Sequence, residues 1–240
     1  MTSCKDAIKD IEVDGVVAAE AEEVRLCPIA NMKPLIAKMD NALSSLKKCK
    51  HLRMSSNAIG KIEGLAGCDS LQILSLGRNA IKKIEGLNEV SDTLEQLWIS
   101  YNQIGSFAGI EKLTNLQVLY CSNNKIDKWP EVERLQALPK LRELNLVNNP
   151  LWQKHVSFLP QRSTTPGSFL PRRPRFLPPC LRSCVFWALT RGYRPRLSWP
   201  SLQDAEGNWR IEVIKRLEKL KSLDGALIED EEREQAKAEA

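Results

Sequence analysis

One pattern occurs five times between residues 49 and 151. It reads apolar-x-x-apolar-x-apolar-x-x-Asn-x-apolar, and its five asparagines are 22, 23, 22 and 25 residues apart. A period of this length, kept over five copies, is typical of a chain built from stacked units that each bury little surface alone. The copies are Cys49, Leu52, Met54, Asn57 and Ile59; Leu71, Leu74, Leu76, Asn79 and Ile81; Leu94, Leu97, Ile99, Asn102 and Ile104; Leu116, Leu119, Cys121, Asn124 and Ile126; and Leu141, Leu144, Leu146, Asn149 and Leu151.

The repeat predicts an α/β fold, a leucine-rich-repeat solenoid of five to six units of about 22 residues with a parallel concave sheet. Pairs such as Leu74 and Leu76 are expected to point into the core, while the next repeat supplies a parallel neighbouring strand. Each asparagine follows its strand, where its amide can bond to backbone groups that a tight turn leaves unpaired. We therefore predict a structural turn role for Asn57, Asn79, Asn102, Asn124 and Asn149. The strands are predicted at 51–55, 73–77, 96–100, 118–122 and 143–147.

Both ends of a solenoid expose core and need caps. Apolar residues recur at helical spacing from Leu35 to Leu46 and again from Trp209 to Leu220, which predicts an amphipathic cap helix at each end. A second apolar pair after each of the first four strands, such as Ile84 and Leu87, predicts short helical or 3₁₀ turns on the convex side. The predicted units are 1–48, an N-terminal helical segment and cap; 49–155, the repeats; 156–203, an insert; 204–228, a cap helix; and 229–240, an acidic, solvated tail.

Residues 156–203 differ in composition from the rest of the chain. They hold eight prolines, eight arginines and no acidic residue, so they carry +8, whereas the whole chain has a formal net charge of +5 and the other 192 residues sum to −3. A Pro- and Arg-rich stretch without periodicity predicts disorder. The segment lacks Lys, Asp, Glu, Asn, Ile, Met and His, and every codon for these residues has adenine in its first or second position. A pyrimidine-rich tract read in frame would have this composition, so we interpret the segment as a retained intron or gene-model error. The alternatives are a lineage-specific loop, or an insert in which 171–175 binds an acidic surface or a proline-recognition module.

No feature of the sequence predicts catalysis, a cofactor or a metal site. Seven scattered cysteines without a CxxC pair indicate reduced thiols rather than disulfides or zinc, and no phosphate-binding glycine loop, HExxH or GxSxG occurs. The N-terminal residues form no signal-peptide core, and no stretch approaches the ~20 apolar residues of a membrane span. A non-enzymatic intracellular protein without membrane or nucleic-acid partners is expected.

Several strings go beyond a generic repeat. They are Lys38-Met39-Asp40, Leu74-Ser75-Leu76-Gly77-Arg78-Asn79, Leu97-Trp98-Ile99-Ser100-Tyr101-Asn102, Asn149-Pro150-Leu151, and Asn208-Trp209 leading to Leu223-Asp224-Gly225. Over about residues 5–155 and 204–228 the chain resembles the leucine-rich-repeat light chains of outer-arm axonemal dynein. The resemblance implies a non-catalytic light chain in the cytoplasm and cytoskeleton, located in the axoneme of cilia and flagella. It also implies binding to the microtubule-binding stalk region of a dynein heavy chain, and contact with tubulin or the microtubule as a second interaction.

The concave face is the predicted binding surface. Strand residues on either side of the inward pair point to it, and several of them are apolar where a solvated sheet would be polar; exposed apolar area with Trp and Tyr is typical of interfaces. The predicted partner-binding residues are Arg53, Ile73, Gln96, Trp98, Val118, Tyr120, Asn145 and Val147. Two alternatives stay open: a cap or the 156–203 segment covers this stripe, or the chain regulates another enzyme, such as a phosphatase. A nucleic-acid-binding function would depend on the arginines of 156–203 alone.

Overall fold

A computed structural model describes residues 3–13, 17–28, 35–155 and 209–239. Eight strands form one sheet in chain order: β1 Glu23–Arg25, β2 His51–Arg53, β3 Ile73–Ser75, β4 Gln96–Trp98, β5 Val118–Tyr120, β6 Glu143–Asn145, β7 Ser222–Leu223 and β8 Ala226–Leu227. Strands β1 to β7 pair in parallel, and β8 closes the sheet as an antiparallel hairpin partner of β7. The predicted solenoid is confirmed, with each of the five predicted strands starting at its expected residue.

The interior of the solenoid consists of rows of equivalent apolar residues from successive repeats. Leu74 pairs in register with Leu52 on one side and Leu97 on the other, and all three are fully buried. The next inward row, which includes Leu76 and Ile99, is equally buried. This stacking explains why no single repeat is stable alone, since each leucine is covered mainly by the repeats before and after it.

The five asparagines form a ladder of side-chain hydrogen bonds that connects neighbouring repeats. Asn102 accepts a hydrogen bond from the Ile81 amide through Oδ1 at 3.0 Å, and its Nδ2 donates to the carbonyl oxygens of Leu76 and Ile99, each at 3.0 Å. Asn57, Asn79, Asn124 and Asn149 repeat the same arrangement with the equivalent groups. Each amide thus satisfies backbone groups of two repeats at the turn where the sheet ladder ends.

The convex side contains short turns and the second apolar row. Its helical elements are a 3₁₀ turn at Asn88–Val90, the helix α2 at Trp129–Glu133 and a 3₁₀ turn at Arg134–Ala137. Ile84, Leu87, Phe107 and Ile110 are buried as predicted. Trp129 differs, because it is only partly buried and contacts the C-terminal cap.

The N-terminal cap is not the predicted helix over 35–46. Leu35 is 44% exposed, Ile36 forms an isolated bridge, and only a 3₁₀ helix at Asn41–Ser45 follows. The reason is Asp40, whose carboxylate accepts a hydrogen bond from the Ala42 amide and so caps the start of the 3₁₀ helix. An N-cap residue has extended backbone, so a helix over 35–46 cannot run through this position. The cap also includes a helix, α1 at Cys4–Val13, which packs on this turn, and the Cys4 amide donates a hydrogen bond to the Asp40 carboxylate at 3.1 Å.

The C-terminal cap contains α3 at Pro150–His155, α4 at Trp209–Arg216 and α5 at Asp230–Ala238. The predicted apolar face of α4 is buried. The prediction of a fraying acidic tail is wrong for residues 229–239, because α5 begins with a capping box and Arg210 forms a two-pronged ion pair with Glu232. Arg233 also donates to the Leu220 carbonyl, so the acidic residues lie on a helix that is tied to the cap.

The predictions for residues 156–203 lie outside the described residues, but the residues that flank this segment are close together. The rings of His155 and Trp209 have centroids 6.1 Å apart, and both rings contact Trp129, at 5.0 Å and 5.5 Å. The five residues 204–208 can span such a distance, since an extended chain covers about 3.3 Å per residue.

Deleting residues 156–203 is therefore expected to leave the repeat fold and its stability intact. Shortening the connection from 53 to five residues reduces the entropic cost of closing the loop. The melting temperature should therefore stay unchanged or rise by a few degrees. Thermal melts of the full chain and the deletion variant, followed by circular dichroism, would measure the difference. A melting temperature lower by about ten degrees or more in the deletion variant would mean that the segment belongs to the domain.

Candidate binding surface on the concave sheet

The register of the sheet places the predicted binding residues in rows across the concave face. Arg53, Ser75, Trp98, Tyr120 and Asn145 are successive partners in one row. The adjacent row consists of His51, Ile73, Gln96, Val118 and Glu143. Seven of the eight predicted residues therefore lie in two neighbouring rows, all partly exposed. The eighth, Val147, lies beyond the end of β6 and packs against the core.

Trp98 and Tyr120 form the centre of this surface. Their rings stack with centroids 6.0 Å apart and planes 28° apart, and the edge of His51 approaches Trp98 at 5.5 Å. Between β2 and β4 the row has a serine, Ser75, which is 3% exposed and contacts the His51 ring nitrogen Nε2 at 3.0 Å. A small residue at this position leaves room for the indole to approach His51, so the three rings form one aromatic patch.

The polar atoms of the two large aromatic residues are not free at the surface. The Tyr120 hydroxyl donates to a Glu143 carboxylate oxygen at 3.0 Å, and burial together with Glu143 raises the pKa of Tyr120 to about 12. The Trp98 indole N–H is buried without a hydrogen-bond partner among the described residues. Ring area, rather than a free N–H or O–H, is what these two residues offer to a partner.

Charged residues border the aromatic patch on its N-terminal side. Arg53 makes a 2.7 Å ion pair with Glu23, which also pairs with Arg25. Burial, followed by the positive charge of Arg53, lowers the pKa of His51 to about 4, against the opposing effect of Glu23. His51 is therefore neutral at physiological pH, and its ring acts as an uncharged part of the patch.

Strand β1 supplies residues of the face that the sequence interpretation missed. Glu23 and Arg25 pair in register with His51 and Arg53, so they extend both rows by one strand. The sequence feature that could have predicted β1 is the apolar pair Val24 and Leu26, which has the spacing of the inward residues in the other strands and is buried. The segment did not match the repeat because no asparagine follows Leu26 by three positions.

The described residues contain no group of His, Cys, Asp and Glu that could hold a metal ion. The described cysteines are unpaired thiols, and burial raises the pKa of Cys4 and Cys68 to about 11. Such thiols are poor nucleophiles, since the thiolate is the reactive form. None of the described helices is long and apolar enough to cross a membrane.

Comparison with known proteins agrees with the repeat fold. Residues 47–89, 92–134 and 114–154 match the family model described as leucine-rich repeats in two copies. The chain also resembles a chain in the crystal structure of the Drosophila melanogaster SNF/U2A' complex, with a TM-score of 0.54 over 85% of this chain and 92% of that one. At 18% identity this likeness concerns the fold alone.

The sequence relatives are more specific. The chain is 46% identical to Dynein axonemal light chain 1 of Chlamydomonas reinhardtii over 98% of its own length and 95% of the relative. It is 39% identical to the protein of that name in Ciona intestinalis, covering 98% and 97%, and 37% identical to the one in Homo sapiens, covering 93% and 92%. Since these relatives are matched over nearly their whole length, the chain belongs to the axonemal dynein light chain 1 family and is a leucine-rich-repeat dynein light chain.

Proposed function

We propose that the chain is a non-catalytic adaptor of outer-arm axonemal dynein that binds the stalk region of a heavy chain through its concave face and supports ciliary and flagellar motility. Its family places it in the axoneme. The observation that carries the binding proposal is the aromatic patch of His51, Trp98 and Tyr120 on a sheet face whose predicted binding residues are partly exposed. Contact with tubulin, which the resemblance also implies, stays a prediction without an assigned surface.

The patch has the properties of a binding anchor. Trp and Tyr bury a large apolar area with few rotatable bonds, so they lose little entropy on binding. Here that loss is smaller still, because Trp98 and Tyr120 are already held by their mutual stacking and Tyr120 by its bond to Glu143. Neither side chain is part of the buried core, so the fold has little need of them.

Trp98→Ala and Tyr120→Ala are each expected to weaken binding to the recombinant heavy-chain stalk region by about 2 kcal/mol or more, as is typical of interface hot spots. Calorimetry with the full chain measures the affinity, and circular dichroism checks the fold. Because the two rings stack, the double variant should lose less than the sum of the single losses.

Leu35→Ala is the matched control, since Leu35 is an exposed, large apolar residue on the turn side of the first repeat, away from the concave rows. It should bind like the unmodified chain. Glu232 is unsuitable as a control because it pairs with Arg210. If both aromatic variants keep full affinity while folded, the heavy chain binds elsewhere, and the convex side or α4 becomes the better candidate.

A further inference from the structure

A second surface lies where the chain turns away from the strands. We call it the turn edge and define it as the four residues that follow each of the first four ladder asparagines, together with Arg78 and Tyr101, which directly precede two of them. The four ranges are 58–61, 80–83, 103–106 and 125–128. Lys82, Lys83, Lys125 and Lys128 on this edge are exposed and make no ion pair within the described part of the chain.

Some exposed cations elsewhere on the solenoid are paired with acidic side chains. Lys48 pairs with Glu20, Lys50 with Glu22 at 2.7 Å, and Arg134 with Glu111 at 3.1 Å. On the turn edge, Lys61 pairs with Glu63 at 3.7 Å, whereas Lys82, Lys83, Lys125 and Lys128 have no such partner among the described residues. Lysines kept without acidic partners on one edge form a local positive field that attracts an anionic partner.

A separate feature of the backbone marks the same edge. The residue before each asparagine is left-handed, with φ between 55° and 62°, at Ser56, Arg78, Tyr101, Asn123 and Asn148. Asparagine accepts this conformation readily, whereas a bulky residue such as tyrosine is disfavoured there. Yet Tyr101 is 45% exposed and outside the core, and the Arg78 guanidinium stacks on its ring at 4.7 Å. The buried core does not need a tyrosine at this position, and Tyr and Arg are among the residue types enriched at interfaces.

We infer that the turn edge binds an acidic, extended polypeptide segment of a partner. Lys82, Lys83, Lys125 and Lys128 attract its carboxylates, Arg78 pairs with one carboxylate through its planar fork, and Tyr101 packs against the segment's backbone and side chains. A polypeptide fits better than a nucleic acid, because Arg78 already occupies one face of Tyr101 and the acidic Asp127 interrupts the lysines on the edge. This surface is distinct from the concave rows and does not depend on the proposed heavy-chain contact.

Lysine acetylation of the full chain, read by mass spectrometry residue by residue, tests the inference. The probe is a poly-glutamate peptide, with poly-glutamine of the same length and a poly-dT oligonucleotide for comparison. Poly-glutamate should slow acetylation of Lys82, Lys83, Lys125 and Lys128 several-fold, and poly-glutamine should not. The exposed lysines Lys47, Lys112, Lys219 and Lys237 serve as internal controls and should react unchanged. The arginine-rich 156–203 segment contains no lysine, so it gives no lysine-acetylation signal of its own.

Tyr101→Asn separates binding from structure. It places at this turn the residue that the next two repeats carry, so it should raise the melting temperature slightly while reducing the protection by poly-glutamate. Trp98→Ala should leave the protection unchanged, because it alters only the concave surface. Equal protection of the turn-edge lysines and the control lysines would mean that poly-glutamate is attracted only by the net charge of the chain, which contradicts the inference. Absence of protection would rule out binding at this edge. Stronger protection by poly-dT, or full protection in Tyr101→Asn, would also overturn the inference.

Discussion

Asn102→Ala is expected to lower the free energy of unfolding by about 2 to 3 kcal/mol. The variant leaves the Ile81 amide without its partner at a site where Asn102 itself is only 8% exposed. It also removes one of the two side-chain hydrogen bonds that the Leu76 and Ile99 carbonyl oxygens accept, while the bonds from Asn79 and Asn124 stay. Each buried polar group that loses its only partner costs roughly 1–3 kcal/mol, and water reaches this turn poorly. Urea unfolding followed by circular dichroism would measure the change.

Two further variants define what the amide contributes. Asn102→Asp should do no better than alanine at neutral pH, since a carboxylate would face two carbonyl oxygens in place of the donating NH₂ group. Gln103→Ala, at the exposed neighbouring position, should change stability by less than about 0.5 kcal/mol. An Asn102→Ala loss below about 1 kcal/mol would mean that the asparagine ladder is dispensable.

Gly86→Ala is expected to lower the free energy of unfolding by about 3 to 4 kcal/mol. Gly86 has a φ of 71°, a conformation that already disfavours alanine. A Cβ there would also overlap the carbonyl oxygen of Ile62 in the preceding repeat and lie 2.9 Å from its carbonyl carbon. Backbone atoms cannot rotate away, so neighbouring repeats would have to separate.

Gly60→Ala provides the matched control, because no atom lies within 4 Å of the position that its Cβ would take and its φ is not in the left-handed region. This substitution should be neutral or raise stability by up to about 1 kcal/mol, since alanine restricts the unfolded chain. Comparison of the two urea midpoints decides the matter. Equal midpoints would show that repeats at Gly86 can move apart without loss of packing.

Much of the fold follows from periodicity. The spacing of apolar residues and asparagines identified the five central strands, because in a solenoid each repeat meets only its neighbours and the same local pattern recurs. The second apolar rows were predictable for the same reason, and Phe107 and Ile110 are buried as expected. The cap at the N-terminal end was less predictable, because helical spacing from Leu35 to Leu46 coincides with a turn that Asp40 begins by capping.

The acidic residues at the C-terminal end illustrate a second limit. By composition, 229–234 is a solvated charge run, but Glu232 pairs with Arg210, 22 positions earlier in the chain. Nothing local to the tail reveals this pair. Only the packing of α5 against α4 brings the two charges together.

The sequence by itself determined the repeat architecture, the parallel order of the strands and the side of the sheet on which Trp98 and Tyr120 lie, because these depend on period and alternation within one repeat. Tertiary structure decided how Trp98 and Tyr120 are packed and which of their atoms a binding partner can contact. The stacking with Tyr120, the space above Ser75 and the pairing of Arg53 with Glu23 all join residues more than 20 positions apart. Such contacts arise only when repeats stack in register, and they convert a row of aromatic residues into a rigid patch whose N–H and O–H groups are already withdrawn from solvent.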